Sequence, residues 1–95
     1  MRLRENEIQS IKTIFRDIFK DGEIYLFGSR VDDSKKGGDI DLYISTKNRD
    51  NLAQKKIKFA GRVMRAIEYK KVDIVLDYGK NRLIDKIAKK EGIKL

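Results

Sequence analysis

Apolar residues recur along this chain with two different periods. Ile8, Ile11, Ile14, Phe15, Ile18 and Phe19 fall on one stripe at helical spacing, so residues 6–19 are predicted to be an amphipathic helix. Asn6 and Gln9 stand where a capping box would start it. Asp21-Gly22 signals a turn, and the β-branched and aromatic residues over 23–27 predict a short strand that Gly28-Ser29 ends. Residues 31–38 are polar and predict a loop. Residues 39–45 then alternate, with Ile40, Leu42 and Ile44 on one face and Asp39, Asp41 and Tyr43 on the other. A long helix is expected over 49–69, capped by Asn48, with a buried stripe of Ala53, Ile57, Ala60, Met64 and Ile67 flanked by Leu52 and Val63. Alternation returns over 72–77, setting Val72, Ile74 and Leu76 against Asp73, Val75 and Asp77. A last helix over 80–90 should turn Leu83, Ile84 and Ile87 inward, with Gly92 as its C-terminal cap.

This order predicts an α/β (α+β) fold, a small mixed three-stranded sheet flanked by helices, in a single domain spanning residues 1–95. The long helix between the second and third strands favours a parallel crossover pair. The shorter link between the first two strands is compatible with an antiparallel pair.

Composition narrows the chemistry. The sequence has no cysteine and no histidine, which excludes thiol chemistry, zinc-type ligation and an imidazole base. Any metal here must be a hard cation held by oxygen. No apolar run approaches the roughly 20 residues of a membrane span, and a cytoplasmic location is expected. The formal charge of +8 suggests an acidic partner, but the lysines and arginines are spread along the chain as on a solvated surface. Direct nucleic-acid binding is not expected, because no reading motif or concentrated basic helix is present.

Asp39 and Asp41 stand two apart on a strand, so their side chains share a face about 7 Å apart at Cα. Two such carboxylates repel unless a cation lies between them. A magnesium pair about 3.5–4 Å apart would relieve that repulsion and hold a triphosphate for in-line displacement. Asp73 has the same parity on the third strand and would join them if the strands are neighbours. Alone, a D-x-D pattern decides little. Gly28 and Ser29 add to it, following a strand and preceding the carboxylate strand by one loop. Gly28 lets the backbone approach a phosphate, and Ser29 can donate to its oxygens.

The combination Gly28-Ser29-Arg30, a loop to residue 38, Asp39-Ile40-Asp41-Leu42, and then Asp73 within Val72-Asp73-Ile74-Val75 resembles the signature of the DNA polymerase β-like nucleotidyltransferases. Most of all it resembles their minimal (MNT) branch, the antitoxin partners of HEPN toxins. The resemblance implies that Asp39, Asp41 and Asp73 are the metal-binding and catalytic carboxylates, with Asp73 helping to activate the attacking hydroxyl. It implies that Gly28 and Ser29 grip the triphosphate of ATP. Arg30 matches a frequent arginine, and either a phosphate or a surface carboxylate suits it. Gly38 stands where a serine commonly precedes the carboxylates, and Val31-Asp32 replaces a frequent Ala-Arg.

The function so implied is magnesium-dependent transfer of AMP from ATP to a hydroxyl, expected to be a tyrosine, on a partner HEPN toxin. The rival reading is a binding module that silences its partner by occlusion with the motif idle; three retained aspartates favour the enzyme. Adenylylation of a small molecule is less expected, since similar enzymes with that activity carry a further domain.

Overall fold

A computed structural model describes residues 3–27, 39–67 and 71–95, with the backbone alone for Asp39 and Lys71. The elements run α1 (Glu5–Phe19), β1 (Glu23–Leu26), β2 (Asp39–Ser45), α2 (Leu52–Ile67), β3 (Lys71–Leu76), α3 (Leu83–Glu91) and β4 (Ile93–Lys94). One sheet has the order β3-β2-β1-β4. β1 is antiparallel to β2 and β4, while β2 and β3 are parallel across the α2 crossover. The sheet is therefore mixed as expected but gains a fourth strand. Two residues are too short to show a period, so β4 leaves no alternation to read.

Strand parity follows the sequence. Ile40, Leu42, Ile44, Val72, Ile74 and Leu76 are all buried in one core with residues of α1 and α2. Burial of this face pins the register, because a slip of one residue would turn every side chain over. α1 buries Ile11, Ile14, Phe15, Ile18 and Phe19, as its stripe predicts. Its start differs: the helix begins after Arg4, whose backbone N–H donates to the Glu7 carboxylate at 2.8 Å. Gln9 instead donates to Glu5, one turn back.

α2 departs from its predicted phase. Leu52, Phe59, Val63 and Ile67 are buried, whereas Ile57 is 74% exposed and Met64 36% exposed. Ala53 is also exposed, and Ala60 is only partly buried. The helix is rotated by one position because Phe59 carries the largest apolar area. Its ring meets Phe19 edge-on at 5.7 Å and Phe15 at 6.4 Å between centroids, giving the core an aromatic centre. Asn48 does not cap this helix. Its side-chain oxygen accepts from the Asp50 N–H at 2.9 Å in a tight turn, and α2 starts later, after Asn51 at φ 56°.

α3 lies over the opposite face of the sheet and inverts its prediction. Leu83, Ile84 and Ile87 point outward, and Asp85 and Ala88 are buried. The sheet face beneath it presents Tyr43, Ser45 and Asp77 alongside Val75, and polar partners anchor the helix, Tyr43 bonding Asp85 and Asp77 bonding Lys89. Gly92 does end α3, at φ −72°. A Cβ there would collide with the Ala88 carbonyl and crowd that of Leu26, so glycine serves close approach rather than a left-handed turn. No helix among the described residues is long and apolar enough to cross a membrane.

Candidate active site

The parallel register of β2 and β3 sets Asp41 directly opposite Asp73, with Asp39 opposite Lys71. Neighbouring strands lie about 4.8 Å apart, so the two facing carboxylates rise side by side. Both belong to the face turned away from the aliphatic core, and both are half-buried. Asp39 shares their parity two residues earlier on β2; its side chain lies outside the described residues.

β1 delivers the chain to the same place. The Phe27 N–H donates to the Asp41 carbonyl at 3.1 Å, so β1 leaves the sheet beside Asp41. Gly28, Ser29 and Arg30 follow directly in sequence but lie outside the described residues.

Asp41 and Asp73 line an open cleft of about 810 Å³, together with Phe27, Lys56 and Ile84. That volume is in the range of small-molecule and cofactor sites. The donors are oxygen only, since the sequence offers neither histidine nor cysteine. Among the described residues no three metal-binding side chains come together. Asp41 and Asp73 nonetheless form the facing carboxylate pair that a hard, oxygen-seeking cation requires.

The neighbouring groups on this face are committed to holding α3. Tyr43 is fully buried, and its hydroxyl donates to the Asp85 carboxylate at 2.8 Å. Asp85 also accepts from the Arg82 guanidinium at 3.0 Å and from the Arg82 backbone N–H at 2.7 Å. The Arg82 bond lowers Asp85 to about 2 against the opposing cost of burial. Burial, reinforced by the Asp85 carboxylate, pushes the Tyr43 phenol well above its ordinary range. Asp77 shares the face of Asp73 at the end of β3, where it caps a turn, accepting from the Gly79 N–H at 2.7 Å. Burial pushes the Asp77 carboxyl up, but Gly79, Lys89 and Ser45 outweigh it and hold the group below its usual value.

Sequence reasoning missed the Tyr43–Asp85–Arg82 network. Its signals were there: the parity of Tyr43 matches that of Asp41, and Asp85 stands three residues beyond Arg82, at capping distance.

Residues 8–95 match the family described as Nucleotidyltransferase domain. The chain belongs to that family. No curated protein matches its sequence. Among solved structures, this nucleotidyltransferase domain resembles a chain of a toxin–antitoxin crystallised with AMP-PNP, at TM-score 0.74 and 25% identity over 97% of this chain and 72% of that one. A chain of a mutant MntA–HpeT toxin–antitoxin superposes at TM-score 0.71, with 25% identity, covering 98% of this chain and 71% of the other. A third likeness, at 21% identity, is one of fold: a chain of the tri-AMPylated Shewanella oneidensis HEPN toxin in complex with MNT antitoxin, TM-score 0.73, covering 97% and 71%.

Proposed function

We propose that this nucleotidyltransferase domain is a protein adenylyltransferase, which moves AMP from ATP to a tyrosine hydroxyl of a HEPN-domain toxin and so acts as an antitoxin. The observation that carries this reading is the facing register of Asp41 and Asp73 on adjacent parallel strands, with Asp39 in the same parity. The AMP-PNP bound in one similar structure and the AMPylated toxin in another support the choice of nucleotide and acceptor.

Each residue has a role in this reading. Asp39 and Asp41 would hold magnesium, two ions in the loaded site, with Asp73 as the third ligand. Bound magnesium supplies charge neutralisation to the triphosphate. Gly28 and Ser29 hold the phosphate oxygens through backbone and hydroxyl donors, with Arg30 beside them. Asp73, nearest the open edge of the sheet, receives the acceptor hydroxyl and helps take its proton. The acceptor oxygen then bonds to the α-phosphorus, the bond from that phosphorus to the bridging oxygen of the β-phosphate breaks, and pyrophosphate leaves. The main contribution of the protein is positioning and charge, as phosphoryl chemistry requires.

Intact-mass spectrometry of the toxin after incubation with ATP and magnesium tests the proposal. The wild-type domain should add AMP. The Asp39→Ala, Asp41→Ala double variant should retain its fold by circular dichroism and add none. A wild type that adds no AMP, or a double variant that adds as much, ends the enzymatic reading. A wild type that adds none yet still silences the toxin would act by occlusion.

A further inference from the structure

Cations are spread along the sequence, but the coiling of α2 gathers some of them into a row. Lys55, Lys58, Arg62 and Arg65 follow one another at spacings of three and four, on one side of the helix over a rise of about 15 Å. No aspartate or glutamate lies within the helix. Asp17 of α1 bonds Arg62 at 2.6 Å, and no other acid among the described residues pairs with the row. Lys58 and Arg65 are exposed. Like charges at these spacings weaken a helix. α1 and α3 are built the other way, with acids in the first turn (Glu5 and Glu7; Asp85) and bases in the last. The first turn of α2 has no acid, and Lys55 and Lys56 stand at its end. The row weakens its own helix, and a counter-charge from outside the chain would reverse that.

The same helix carries a notch beside the row. Ile57, Gly61 and Arg65 stand four residues apart and form one ridge on its surface. Ile57 is 74% exposed. Glycine weakens a helix interior, and nothing among the described residues requires it at 61: an added Cβ would meet only the Arg65 guanidinium, at an ordinary 3.6 Å. The gap admits close approach by another helix, whose own ridge can seat there. An extended segment is a poorer fit, because the backbone in the middle of α2 is already paired within the helix. A nucleic-acid strand is poorer still. The one aromatic residue of α2, Phe59, is buried, so this face has no ring to stack on bases, and an exposed Ile57 gains nothing beside phosphates.

We propose that α2 is the docking face for an amphipathic helix of a partner protein, which sets an apolar stripe on Ile57 and Gly61 and a file of aspartates or glutamates against Lys55, Lys58 and Arg65. The docking rests on α2 itself; that the partner is the toxin rests on the transfer reading above. Charge draws the two helices together, and the notch with its apolar flank fixes where they seat. Ile57 also lines the carboxylate cleft, so a helix held here brings its protein beside Asp41 and Asp73.

The probe is a fluorescein-labelled, alanine-rich helical peptide of about 20 residues, with leucines on one stripe and glutamates along the next, titrated against the full chain by anisotropy without nucleotide. A second version replaces every glutamate by glutamine. The acidic peptide should bind saturably and the neutral one at least about tenfold more weakly. The Lys58→Glu, Arg65→Glu double variant, with its fold checked by circular dichroism, should lose at least about tenfold in affinity for the acidic peptide. Gly61→Leu should melt no lower than the wild type, because leucine favours a helix, yet bind about tenfold more weakly, because its side chain fills the notch. Absence of saturable binding up to millimolar peptide, equal binding of the two peptides, or undiminished binding by either variant would each overturn the docking. So would a fluorescein-labelled single-stranded RNA that binds more tightly than the acidic peptide and is lost in the double variant, which would assign the row to phosphates. Mass spectrometry of the toxin with ATP and magnesium separates this inference from the transfer. A chain that docks the acidic peptide as expected but adds no AMP to the toxin sinks the transfer and leaves the docking. A chain that adds AMP but does not hold the peptide sinks the docking and leaves the transfer.

Discussion

Tyr43 and Asp85 share a boundary where a polar pair does what apolar packing does elsewhere. The Tyr43 hydroxyl and the Asp85 carboxylate are both shielded from water, so each depends on the other and on Arg82. Asp85→Ala would strand a buried hydroxyl and should cost about 2–3 kcal/mol, read as a lower denaturant midpoint. Tyr43→Phe, which leaves the carboxylate its Arg82 partner, should cost less. The pair also sets an acid response. Asp85 lies at about 2 in the fold against an ordinary 3.8, so folding favours its ionised form. That contribution is complete above the ordinary value and fades as pH falls from there toward 2. Denaturant midpoints measured from pH 5 down to about 2 should fall steeply for the wild type and more shallowly for D85A. Parallel slopes would mean that Asp85 is not the group lost.

The helices and strands were not equally legible in the sequence. A strand has only two faces, and alternation assigns both at once, so Asp41, Asp73 and the core-facing aliphatic residues of β2 and β3 fall on the predicted sides. A helix has a continuum of faces. α2 carries Leu52, Ala53, Ile57, Phe59, Ala60, Val63, Met64 and Ile67, enough apolar residues to define two stripes one position apart. Only the shape of the core, with Phe59 closing on Phe15 and Phe19, selects between them. α3 differs for another reason: its apolar stripe predicts an inward face, but the groups that hold it to the sheet are the Tyr43 hydroxyl and the Asp77 carboxylate. The phase of α2 is directly testable. Phe59→Ala should destabilise the fold by about 3–5 kcal/mol, while Ile57→Ser and Met64→Ser should each change it by under about 0.5 kcal/mol. Thermal melts of the three variants would check this, and a large loss at Ile57 would restore the phase predicted from sequence. The phosphate-gripping role of Gly28 and Ser29 has no such counterpart, since those residues lie outside the described structure.

Across the whole molecule, two kinds of surface are set for different tasks. Twenty-three lysines and arginines against fifteen acids give a positive field over most of the chain. Three of the apolar residues left outside the core, Ile57, Met64 and Ile84, line the carboxylate cleft. Charge acts at a distance and is screened within about 8 Å at physiological salt, so it governs encounter. Apolar side chains buried at an interface act only on contact, so they govern how long a complex lasts. For the toxin complex proposed above, raising salt from about 0.05 to 0.5 M should therefore slow association by roughly tenfold or more while changing dissociation little. Ile57→Asp should do the reverse, speeding dissociation with a small effect on association. Surface-immobilised toxin and a stopped salt series would separate the two rates. Association that ignores salt would mean that the +8 charge is only a solubilising surface, and the partner face would then be apolar throughout rather than acidic.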